Sequence, residues 1–182
     1  MMNAKRKFTL AVLVASAVVW LPAAQVVAAD VKMGANKLEG AWVSKVQEVP
    51  LQWSFVLVPD ASGRRASLHG SIDVGLASFG PTVTTTPLLG ELVMTGPASA
   101  KFTSVWYGRT TTTGPLSATI VYIGMNQGKI ELTGPGKSVS THHIAYYAPS
   151  SDADGDGYPD AGATPIAPAV DVTSIDTRMP SP

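Results

Sequence analysis

The chain has 182 residues, thirteen Lys and Arg against thirteen Asp and Glu, a formal net charge of zero and no Cys. Balanced charge gives little to neutralise phosphates, which argues against nucleic acid as a partner. The absence of Cys removes both disulfide staples and a lipid-attachment thiol, so a packed core has to supply the stability.

The basic start "MMNAKRK", the apolar run "FTLAVLVASAVVWL" and the small-residue end "PAAQVVAAD" have the layout of a secretory signal peptide over residues 1–29, cut between Ala29 and Asp30. The apolar run is shorter than the roughly 20 residues of a membrane-spanning helix, so no span is expected after cleavage. The expected localisation is exported, periplasmic or extracellular. Cleavage removes Lys5, Arg6 and Lys7, leaving 153 residues with ten basic and thirteen acidic groups, enough for one domain with a formal charge of about −3.

From Leu38 to Ala148 the chain is a series of short runs rich in Val, Ile, Thr, Trp and Tyr, cut by Gly and Pro, and no long segment has helical spacing. The spacing predicts strands over 40–47 and 52–59, then a turn in which Gly63 takes a positive φ. A third strand follows, where Leu68, Ile72 and Val74 alternate with Ser67, His69, Ser71 and Asp73. Residues 76–88 carry prolines and read as a loop or edge segment. Further strands are expected over 89–95, 99–109, 116–124, 128–134 and 138–147, with "MNQG" (125–128) as a tight link. Thr-Gly-Pro recurs at 95–97, 113–115 and 133–135, each Gly-Pro ending a strand. After Ala148 the apolar alternation stops: 149–162 is an acidic loop and 163–182 reads as a flexible Pro/Ala/Thr tail.

These observations predict an all-β domain, an antiparallel meander of about eight strands that hides its edges by closing into a barrel or packing as two sheets. Gly40-Ala41-Trp42 on the first strand resembles the Gly-x-Trp start of the lipocalin and avidin barrels, which favours a calycin-like barrel over a sandwich. The resemblance implies that Trp42 plugs one end. The chain departs from the lipocalin pattern in offering no Arg in its last predicted strand to lie across that Trp.

The acidic loop carries the clearest motif. Calcium takes six to eight oxygen ligands, and carboxylates at positions 1, 3 and 5 of a tight loop, followed by Gly, supply them while the chain turns round the ion. Asp152, Asp154, Asp156 and Gly157 stand at those positions, with the Tyr158 carbonyl at position 7 and Asp160 at position 9. This resembles the calcium loops of bacterial thrombospondin-type repeats and, less fully, the EF-hand, whose twelfth-position Glu is here Ala163. The resemblance implies a weak Ca²⁺ site.

Other chemistry has less support. His142 and His143 are neighbours on one strand and point to opposite faces. There is no Gly-x-Ser-x-Gly elbow, His-Glu-x-x-His or phosphate loop. A hydrolase would have to assemble its site from dispersed carboxylates (Glu39, Glu48, Glu91, Glu131) and His142 or His143. The aromatic strand residues read first as core. In a barrel wide enough to leave a cavity, Trp106, Tyr122, His142 and Tyr146 would contact a ligand. The sequence therefore points to a non-enzymatic exported barrel holding a small apolar ligand or a protein partner. A structural surface module with a calcium-stiffened spacer is the first alternative, and the hydrolase the second.

Overall fold

The computed structural model describes residues 35–71, 83–110 and 119–180. The leader expected at 1–29, the Thr-Gly-Pro at 113–115, and Ile72 and Val74 of the third predicted strand lie outside the described residues. Among the described residues a four-residue helix, α1 (Ala35–Leu38), precedes nine strands: β1 (Gly40–Val46), β2 (Gln52–Pro59), β3 (Arg65–Ser71), β4 (Val83–Thr85), β5 (Leu88–Met94), β6 (Ser99–Thr110), β7 (Ile120–Gly134), β8 (Lys137–Tyr147) and β9 (Val170–Arg178).

Eight of them close an antiparallel barrel in the order β1, β2, β3, β5, β6, β7, β8, β9 and back to β1, while the short β4 pairs with the far end of β6. The barrel expected from the sequence is therefore the fold. The first strands fall where the alternation places them. On β1 and β2, Trp42, Ser44, Val46, Trp53, Phe55 and Leu57 face inward and their neighbours face out. Gly63 turns the chain between β2 and β3 with φ 63°.

Two expected element boundaries are corrected. The link expected at 125–128 does not exist, because β7 runs unbroken through it: Met125 pairs with Val105 and Ala145, and Asn126 with Ser104 and Ile144. Hydrogen-bonding neighbours on both sides hold these residues extended, whatever turn propensity Asn126 and Gly128 have. The second correction concerns the tail. Residues 170–178 form β9, which fills the gap between β8 and β1 and completes the ring. The β domain thus extends beyond Ala148 to Arg178.

Residues 148–169, between β8 and β9, pack as a strap on the outside of the barrel. The outward side chains of Val105, Ile123, Ala145 and Tyr147 form an apolar patch that the strap covers with Ala163 and Ala169. The strap is tied down by Ile166 N donating to Tyr146 O at 2.8 Å and by the Tyr107 hydroxyl donating to Gly157 O at 2.9 Å.

One end of the barrel is plugged. Trp42 is fully buried, donates its indole N–H to Leu38 O at 2.8 Å, and stacks on Phe55. Arg178 lies over the Trp42 ring, 5.0 Å from its centroid, and donates to Lys37 O. The expectation that no last-strand Arg crosses Trp42 is overturned, since the last strand is β9.

Towards the other end, Trp106, Tyr122 and Tyr146 meet edge to face, at 5.9 and 5.4 Å between ring centroids. Their packing needs glycine opposite them: a Cβ on Gly124 would fall 2.2 Å from the Trp106 ring, and one on Gly108 2.0 Å from the Tyr122 ring. Gly124→Val is expected to lower stability by about 3 kcal/mol, at the upper end of overpacking, read from urea unfolding. Gly134→Ala, where nothing lies within 4 Å, should change it by no more than about 0.5 kcal/mol. Equal effects would show that the rings do not pack on Gly124.

Candidate functional site

All four residues expected to contact a ligand face the barrel interior. Tyr122 and Trp106 are fully buried and sit with Tyr146 in the upper aromatic cluster. His142 lies one layer below, its ring 4.8 Å from Trp53 and 5.3 Å from Phe102. These groups pack against one another. The space left between Trp53, Phe55, Leu68, Leu88, Phe102 and His142 is a cavity of about 20 Å³, room for one water molecule.

Polar groups also line the cavity, among them Ser54 and Ser71 on β2 and β3, whose hydroxyls are 3.1 Å apart. Ser104, Asn126 and Ser140 line it together with His142. Asn126 Nδ2 is 3.2 Å from His142 Nδ1, and His142 Nε2 is 2.9 Å from Ser174 Oγ. Beyond Ser174 lies Asp176, with 0 % of its surface exposed. Ser44 and Ser174 donate to its Oδ1, at 2.7 and 2.8 Å. Ser138 and Ser140 donate to its Oδ2. Neither Asp176 nor its serine shell was singled out in the sequence. The available signal was Ser-x-Ser at 138–140 and Ser-x-Asp at 174–176, small polar residues with period two on strands.

Burial sets the titration of this interior. Desolvation lowers the His142 pKa to about 4, against a weaker upward pull from Asp176 and then Glu48. Burial pushes the Tyr122 hydroxyl up to about 12, opposed by the neighbouring Trp106, and also raises Tyr146.

The groups offered for hydrolysis do not converge. Glu91 is paired with Arg65 on the outer surface, and Glu48 accepts from Thr173 N. His143 is exposed and paired with Asp171 at 2.8 Å. Among the described residues, the hydrogen bonds of His142 lead to a carboxylate through Ser174.

In the acidic loop, Asp152, Asp154 and Asp156 bring one carboxylate oxygen each to within 4.8 Å of one another. Gly157 N donates to Asp152 Oδ2, Asp156 N to Asp154 Oδ1, and Tyr158 N to Asp156 Oδ1. Gly155 and Gly157 have φ of 75° and 90°, which lets the loop turn that tightly. Asp160 is not part of that group; its Oδ2 accepts from Ala153 N. The loop lies against the barrel, and burial, followed by Asp152, Tyr158 and Asp156, raises the pKa of Tyr107.

No protein-family model matches the chain, and no curated protein does. Among solved structures it is similar to EF1p2_mFAP2b bound to DFHBI, with a TM-score of 0.43 and 19% identity over 81% of this chain and 98% of that one.

The interior makes a pH prediction. An unfolded His142 takes a proton near 6.5 and the folded one only near 4, so between those values the unfolded chain binds more protons and stability falls as pH falls. About 2 kcal/mol should disappear between pH 7 and pH 5, at roughly 1.4 kcal/mol per unit once the unfolded His titrates. Urea midpoints of wild type and His142→Gln across this range measure it; parallel pH profiles would rule out a buried neutral His142.

Proposed function

We propose that the protein is an exported β-barrel of lipocalin-like architecture that binds a small apolar ligand inside the barrel. The observation that carries this reading is the interior cavity, which has aromatic and aliphatic walls and includes Asn126, Ser104, Ser140 and His142 in its polar lining. Apolar pockets with a few convergent polar groups and a displaced pKa are where small ligands bind. The plug of Trp42 under Arg178, fastened to α1, supports the lipocalin-like reading and closes that end of the barrel. Because the cavity has room for about one water molecule, an organic ligand has to turn the rings of Trp53 or Phe102 aside.

The test is a titration of the full chain with small neutral aromatics, followed by Trp fluorescence and melting temperature. Saturable changes in emission with a rise in Tm are expected. If no compound produces either, the second reading stands: a solidly packed structural module, which the small volume favours.

The acidic loop is proposed as a weak calcium site. Oxygens within 4.8 Å of one another suit an ion with Ca–O distances of about 2.3–2.6 Å, and Asp152 Oδ1 is buried with no protein partner. Asp152, Asp154 and Asp156 would hold the ion, and its charge would offset their mutual repulsion. The expected Kd is on the order of 0.1–1 mM, so 10 mM calcium should stabilise the protein by at least about 1.4 kcal/mol. Calorimetry with wild type and Asp154→Asn checks this, and a wild type that gives no calcium-dependent heat removes the site.

A further inference from the structure

A hydrogen-bond relay crosses the barrel interior, and its direction is fixed from one end. Asp176 accepts from four serine hydroxyls, which occupy both of its oxygens. Ser174 has a single proton and gives it to Asp176 Oδ1, so its oxygen can only accept from His142 Nε2. The proton of the neutral imidazole therefore sits on Nε2. Nδ1 is left as an acceptor, and Asn126 must turn its Nδ2 towards it. The buried carboxylate thus sets an amide orientation that crystallographic density alone seldom distinguishes.

The other atom of that amide is then committed. Asn126 is only 4 % exposed, its Oδ1 has no protein partner, and the residue lines the interior cavity. A buried acceptor without a donor is costly, and a second acceptor placed against it would leave two groups unpaired. A charged donor is disfavoured too. The partners it would meet are a neutral amide and neutral hydroxyls, since the Asp176 oxygens are already filled and His142 is neutral.

We propose that Asn126 Oδ1 is the polar anchor of the barrel's ligand, and that the ligand is a small neutral molecule presenting one O–H or N–H donor from an apolar body. In the free protein one water molecule takes that place, and the ligand's donor displaces it while restoring its hydrogen bond. This rests on the reading of the barrel interior as a ligand site and narrows its chemistry: the site selects for a donor, and Asn126 determines the specificity through the relay from Asp176.

The experiment compares isosteres that differ only in the donor. Phenol against fluorobenzene and pyrrole against thiophene are titrated into the full chain by calorimetry and by thermal shift. The donor of each pair is expected to bind at least tenfold tighter, and Asn126→Leu should erase the difference. Ser174→Ala, which cuts the relay and frees the amide to turn, should reduce the preference while the barrel still binds. Equal binding of both members of each pair by wild type overturns the anchor and leaves the ligand site standing. Failure of all four compounds to bind overturns both. A donor preference that survives in Asn126→Leu also overturns the anchor, since the donor then pairs elsewhere.

Discussion

Closure is the constraint on which the molecule depends. Seven strands of this barrel pair in a continuous run from β1 round to β8, and without β9 both of those would be open edges. An open edge is a row of unpaired N–H and C=O groups, costly if buried and adhesive if exposed. β9 pairs with both at once and brings Asp176 and Arg178 inward as it does so. The first fastens β1 and β8 through Ser44, Ser138 and Ser140; the second caps Trp42 and ties down α1. One strand therefore supplies the last ladder, the polar centre and the plug.

Much of the barrel was legible in the sequence because most of its strands obey the ordinary rule of apolar inside and polar outside. On β3, Ala66 and Leu68 alternate with Arg65, Ser67 and His69, and turn residues mark the ends. β9 breaks that rule. Its inward residues are Val172, Ser174, Asp176 and Arg178, while Ile175 faces out with 47 % of its surface exposed. Judged by hydrophobicity alone, such a segment is a polar tail. Its β-branched residues, Val170, Val172, Thr173, Ile175 and Thr177, were the signal that could have identified it. The false break in β7 has a related origin. Gly128 closes the stretch read as a link, yet neither it nor Gly124 has a positive φ, and Gly124 makes room for Trp106.

The same reversal hid the polar part of the candidate site. Trp106, Tyr122, His142 and Tyr146 could be picked out because aromatic residues on strands are conspicuous. Asn126 sat in what looked like a link, and Asp176 in what looked like a tail. No local pattern shows that Asp176 and Ser44, 132 positions apart, share a hydrogen bond. The acidic loop was the easier case, since metal-ligand spacing is local. What the sequence could not show was the surface it lies on, because Tyr107 and the apolar patch come from strands far from it in the chain.

The long separation between β1 and β9 bears on how the protein is made. A growing chain that has reached Tyr147 can pair β1 through β8 and bury most of its aromatic residues, but it exposes two adhesive edges and leaves Ser44, Ser138 and Ser140 without Asp176. The strap must then be laid across the outer patch before β9 can enter. Contacts of such high sequence separation form slowly, and intermediates with open strand edges are the ones that aggregate. The barrel is thus most exposed to misassembly in the interval between the emergence of β8 and the arrival of Arg178.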